Sequence, residues 1–210
     1  MALLTNQRLA PETACAFPQA RRRSSWDRHA RAALITLVII LMLISSTATR
    51  TQAQDPNGEY TLKAAFLYNF AKFVEWPSST FAETTSPFVL CTLGHDPFGT
   101  NLDAIAGKMV RERSLVIKRI RSEGTVTGCQ MLYVSPSELT QATDLLRSLH
   151  NTPVLTVCDI DNCAEAGIIL GMRLVDNRVQ LDMNLETLQH TPLKVSSQLM
   201  KLTRIVKGNP

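Results

Sequence analysis

Cysteine offers the most chemistry in this sequence, with five among 210 residues. Cys15 stands apart near the amino terminus, whereas Cys91, Cys129, Cys158 and Cys163 form a set of four. Four thiols allow three disulfide pairings. The spacing Cys158-Asp-Ile-Asp-Asn-Cys163 is one that a turn can close, and Cys91 and Cys129 would then join across 37 intervening residues. On the chain-entropy model each bridge contributes about 2–4 kcal/mol, more for the longer loop. A zinc site built from the same four thiolates is the competing chemistry. It would favour a C-x2-C knuckle, and a dithiol oxidoreductase would want C-x-x-C; the sequence contains neither.

The other reactive side chains form weaker constellations. His95-Asp96 follows a strand-like run but has no partnered Ser or Cys nucleophile, and it reads as a turn and helix cap. Asp159 and Asp161 look like a fragment of a calcium loop. The glycine and the twelfth-position glutamate are missing, so a solvated turn bounded by cysteines is the expectation. Gly94 and Gly99 are not followed by Lys-Ser/Thr, which excludes a P-loop. Arg111, Arg113, Lys118, Arg119 and Arg121 make one basic cluster, interrupted by Glu112 and Glu123 and without interleaved aromatics. A charge-protected edge strand is the expectation there, with a contact patch for an acidic partner as the alternative. No catalytic, cofactor-binding or metal-ligating set emerges.

The chain's formal charge of +4 suggests a polyanion partner until its distribution is examined. Residues 1–53 hold seven arginines against Glu12 and Asp27, a net of +5, so the remainder carries −1. That first quarter has a basic flank ending Arg28-His-Ala-Arg31 and an apolar core, Ala32-Ala-Leu-Ile-Thr-Leu-Val-Ile-Ile-Leu-Met-Leu-Ile44. The small and polar run Ser45-Ser-Thr-Ala-Thr-Arg-Thr-Gln-Ala53 follows. This is the pattern of a secretory signal peptide, with cleavage expected after Ala48 or Ala53. The core is short for a membrane span, which needs about 17–25 residues; extended from Ala30 to Ala48 it would serve as an amino-terminal anchor instead. Either reading takes residues 54–210 out of the cytosol, where cysteines pair and nucleic acid is not met.

Elements that must position these residues follow from periodicity. Glu59 to Glu75 reads as a buried helix stopped by Trp76-Pro77, its aromatics a core stripe rather than a ligand box. Tyr68, Lys72 and Glu75 share its polar face. Strands are expected at 88–93, 115–120, 130–134 and 153–158, with helices at 97–106, capped by Asp96, and 136–149, capped by Ser135. Residues 168–175 and 178–183 flank Asp176-Asn177, a hairpin signal. A helix is expected after the Asn184 cap. A terminal helix from Thr191-Pro192 would carry Val195, Leu199, Leu202 and Val206 on one stripe. The fold class is therefore α/β: a mixed, partly parallel sheet covered by helices, a single domain.

The stretch Tyr60-Thr-Leu-Lys-Ala-Ala-Phe-Leu-Tyr-Asn-Phe-Ala-Lys-Phe-Val-Glu-Trp-Pro77 resembles the first helix of the YfiR family of periplasmic proteins. So does Arg178-Val-Gln-Leu-Asp-Met-Asn-Leu185 followed by Leu193-Lys-Val-Ser-Ser-Gln-Leu-Met-Lys-Leu202. The similarity covers about residues 57–207; Ala166-Gly167 departs from it, where relatives carry two glycines. The resemblance implies a regulator rather than an enzyme, without cofactor, which forms dimers. Its expected target is the periplasmic sensor domain of an inner-membrane diguanylate cyclase or another membrane sensor, held inactive so that cyclic-di-GMP and biofilm growth fall. It also implies two disulfides, Cys91–Cys129 and Cys158–Cys163. A periplasmic small-molecule-binding envelope protein, with ligand beside His95-Asp96, is the alternative.

Overall fold

The computed structural model describes residues 29, 31–37, 56–121, 124–176 and 178–208. The chain forms two compact units, Met1–Gln52 and Ala53–Pro210. In the first, residues 31–37 are helical and exposed (α1). The expected cleavage points after Ala48 and Ala53 lie outside the described residues. Among the described residues no helix is long and apolar enough to cross a membrane.

The second unit opens with α2 (Pro56–Phe73). Ala64, Leu67, Phe70 and Ala71 recur at helical spacing and are buried. Pro77 adopts an extended backbone, and the helix ends before it as a pre-proline residue demands. The chain leaves as β1 (Val74–Glu75), which pairs antiparallel with β9 (Lys194–Val195). Ser196 N donates to Phe73 O at 2.9 Å, satisfying a carbonyl at the helix end.

The main sheet has eight strands in the order β10-β8-β7-β6-β5-β2-β4-β3. Its centre is β4 (Arg113–Ile120), β2 (Phe88–Leu93), β5 (Met131–Val134), β6 (Leu155–Cys158) and β7 (Leu170–Val175), all parallel to one another. β3 (Met109–Val110) and β8 (Arg178–Asn184) add antiparallel partners on either side, and β10 (Thr203–Val206) lies parallel to β8. β5 and β6 are buried along their whole length because helices cover both faces. The two-residue alternation of a strand divides the core. Phe88, Leu90, Met131 and Tyr133 face α2, whereas Cys91, Leu93, Leu132 and Val134 face the opposite cluster with Leu146 and Leu149.

Both disulfides lie in that second cluster, Cys91–Cys129 with Cα atoms 5.8 Å apart and Cys158–Cys163 at 6.4 Å. The bridges consume all four thiols and remove zinc as a competitor. The mixed, partly parallel sheet and the strand at 88–93 match expectation.

Three expected helices differ in extent. Only Thr100–Asp103 (α3) of the 97–106 segment is helical, because Gly99 adopts φ 53° and Asp96 accepts from Phe98 N, closing a turn instead. The helix expected over 136–149 is confined to Thr143–Ser148 (α4), preceded by turns. The expected terminal helix is three pieces: β9, α6 (Ser197–Leu202) and β10. Thr203-Arg-Ile-Val206 extends to pair with β8, since an open sheet edge offers hydrogen bonds that a solvated last helical turn does not. Asn184 caps α5 (Leu185–Gln189) as expected, its side chain accepting from Thr187 N.

Asp182 ties this end of the sheet together. Its buried carboxylate accepts from Arg173 Nε at 2.9 Å and from Arg204 Nε at 2.8 Å, joining β7, β8 and β10. Burial alone would raise its pKa; the two guanidinium groups outweigh burial and hold it below the ordinary 3.8. Its contribution to stability is therefore present above that ordinary value and lost as pH falls through the depressed one. Asp182→Asn should melt below the wild type at neutral pH, with the gap closing in acid below about pH 4. A gap constant to about pH 2 would rule out the paired charge as its source.

Candidate functional site

The carboxyl ends of the parallel strands carry the densest polar cluster. Lys63 projects from α2 into the protein, its side chain 3% exposed, and donates to Asp159 Oδ2 at 2.8 Å. Asp159 directly follows β6, and its other oxygen accepts from Tyr133 Oη on β5 at 2.5 Å. Glu59, one helical turn before Lys63, makes the second ion pair with it, and the ammonium lies over the Tyr60 ring. Phe98 closes the cluster, edge-on to both Tyr60 and Tyr133. One lysine, two carboxylates and two phenols thus bind the start of α2 to the ends of β5 and β6.

The electrostatics are those of a locked network. Burial would lower the Lys63 pKa, but hydrogen bonds to Asp159 and Glu59 outweigh it and leave it raised. Burial, reinforced by the Asp159 charge, pushes the Tyr133 phenol far up, and burial raises Tyr60 as well. A lysine held protonated makes a poor nucleophile or base, and a phenol held neutral makes a poor base. The arrangement fixes geometry: Asp159 begins the loop closed by Cys158–Cys163, so bridge, loop and helix start share one anchor.

Asp159 is thus buried, not part of a solvated turn; only Asp161 is exposed. The error has a physical source: a disulfide-bounded turn has one end inside the protein, and Asp159 sits on that end. Lys63 was missed because the aromatics around it dominate the helix pattern. The one available signal was the Glu59–Lys63 spacing on an otherwise apolar face.

The sheet's build-out reverses between β2 and β5, where open α/β folds commonly bind ligands. His95 is exposed there, whereas Asp96 is engaged by Phe98 N and by Arg119 Nε at 2.7 Å. Glu138 and Ser137 crowd the place where a side chain on Gly94 would project, so the two loops press together. His95 and Asp96 therefore form a turn and a cap rather than half of a catalytic set.

The basic cluster disperses on folding. Arg119 bridges Asp96 and Asp103, Arg113 donates to Glu83 O and Ser86 O, and Arg111 pairs with Glu75. Lys118 and Arg121 stay exposed. Of the helix's polar face, Tyr68 donates to Met109 O with Lys72 and Lys108 around its ring. Among the described residues no three His, Cys, Asp or Glu side chains could hold a metal together.

A family model described as YfiR/HmsC-like matches residues 60–204, from the first turns of α2 to the middle of β10. The chain belongs to the YfiR/HmsC-like family. No curated protein matches it. The YfiR/HmsC-like match contains the sheet up to the middle of β10, both bridges and, apart from Glu59, the buried network. Membership implies a periplasmic regulatory protein in cyclic-di-GMP signalling, working with a membrane-associated signalling protein rather than as an enzyme.

Proposed function

We propose that this YfiR/HmsC-like protein represses an inner-membrane diguanylate cyclase by binding its periplasmic sensor domain, and that it does so as a homodimer. The family match over residues 60–204 carries the reading. The basic, apolar and small-residue succession of residues 1–53 supports export by a signal peptide or retention by an amino-terminal anchor. Residues 54–210 are the working domain.

Such a repressor acts by population shift, binding one state of the sensor more tightly than the other. Taking a sensor from mostly active to mostly inactive requires about 5.5 kcal/mol of differential affinity. Two bridges and a buried ionic network suit that task, because a surface already ordered before binding loses less entropy on contact.

Capture of the oxidised full-length protein from native membranes, followed by mass spectrometry, tests the reading. A diguanylate cyclase should co-purify, and deletion of the protein should raise cellular cyclic-di-GMP. Recovery of no membrane protein under oxidising conditions, with cyclic-di-GMP unchanged in the deletion strain, would reject it.

A further inference from the structure

The amino ends of the parallel strands carry a cleft whose lining shares no residue with the buried network. It has a volume of about 190 Å³ and is open to solvent. Its lining includes the aromatic rings of Trp76, Phe81 and Phe88 together with Arg111 and Arg113. Trp76 is held in place: its indole N–H donates to Gln130 O at 3.0 Å and its ring meets Phe88 edge-on at 4.8 Å. The Arg113 guanidinium lies 3.7 Å from the centre of the Phe81 ring. Its Nη1 is fixed by two backbone carbonyls, while Nε and Nη2 have no hydrogen-bond partner among the described residues.

Arg111 supplies the second observation. It occupies the β3–β4 turn with φ 53°, a left-handed conformation that glycine or asparagine adopts readily and arginine does not. Its guanidinium is only loosely engaged, 3.3 Å from Glu75 with both side chains more than half exposed. Non-glycine residues in left-handed backbone cluster at ligand sites, and this one places a cation in the lining of an aromatic cleft.

We propose that this cleft binds a small amphipathic carboxylate, its apolar ring against Trp76, Phe81 and Phe88 and its acid group on Arg111 and Arg113. Size and charge together select that class. A cavity of about 150 Å³ accommodates a benzene ring, so this one suits a single ring with a short acid arm. Arginine's planar fork matches a carboxylate, and Glu75 marks the position such a group would take at Arg111. The site would give the regulator a small-molecule input at the opposite end of the sheet from the disulfide turn.

The chain holds two tryptophans, so in a full-length Trp26→Phe variant the fluorescence comes from Trp76 alone. Titration with 3-phenylpropionate should change that fluorescence saturably, with a midpoint below about 1 mM, and the neutral 3-phenylpropanamide should bind about tenfold more weakly. In the same background Arg111→Gly should weaken the acid about tenfold while the melting temperature stays level or rises, because glycine relieves the turn. Loss of binding without loss of stability is an outcome that a purely structural Arg111 could not produce. No saturable change with the acid, equal affinity for acid and amide, or unaltered binding in Arg111→Gly would each overturn the proposal. Because this readout needs no membrane partner, its failure is distinguishable from failure of the repressor reading.

Discussion

Lys63→Met should destabilise the protein by about 3–5 kcal/mol, the range for removing one partner of a buried ion pair. The Asp159 side chain is 2% exposed, and without the ammonium its carboxylate would keep only the Tyr133 hydroxyl. Methionine replaces the aliphatic stem, so the loss reports the charge rather than a cavity. In a domain of this size the melting temperature should fall by roughly 10 °C. Adding Asp159→Asn should recover part of the loss, since the stranded charge is then gone and an amide can still bond Tyr133. The dependence on pH has a defined sign. The Lys63 pKa is raised above its ordinary 10.5, so its contribution is fully present below that value and lost as pH rises through the raised one. The gap between wild type and Lys63→Met should hold level from about pH 6 to pH 9 and close in stronger alkali. A loss under about 1 kcal/mol in calorimetry would show that the pair does not anchor α2.

Replacing Cys91 and Cys129 by alanine should cost about 4 kcal/mol, and replacing Cys158 and Cys163 about 2 kcal/mol, on the loop-entropy estimate. The difference lies in loop length, a sequence separation of 38 against 5. Packing adds to the order. Cys91 sits mid-strand in β2, flanked by Lys118 of β4 and Leu132 of β5, and its bridge crosses the second core cluster. The short bridge has a more local task, holding the loop that begins with Asp159. Its removal should leave a folded protein in which Lys63→Met costs less than in the wild type, because the network is already loosened; a double-mutant cycle reads that coupling. Differential scanning calorimetry on both double-alanine variants decides the ranking, and equal losses of melting temperature would contradict it. Under the repressor reading, both variants should also bind more weakly in proportion to the folded fraction.

Much of the architecture was legible in the chain because its signals are local. The Phe88–Leu93 strand, the Asp176 turn and the Asn184 cap each depend on residues within a few positions of one another. Where elements were misplaced, a distant partner had changed a local preference. Thr203–Val206 carries a helical stripe in sequence yet extends because β8 offers an edge. The 97–106 helix is curtailed by Gly99 and by Asp96, which accepts from Phe98 N in the turn and from Arg119, 23 positions away. The basic cluster looked continuous because its residues are neighbours in sequence; alternation along β4 sent Arg113 and Arg119 to partners on other loops.

The charge division between residues 1–53 and the rest, the α/β class and the thiols available for bridging are all legible before folding. These are properties of composition and short-range period, written in each segment without reference to the others. Folding alone brings Lys63 to Asp159 across 96 positions, gathers two arginines on Asp182, and lines one cleft with Trp76, Phe81, Arg111 and Arg113. The reason is the same in each case. A charge or a ring acquires its role from what surrounds it after water has been excluded, and those surroundings come from strands that join the sheet tens of residues apart.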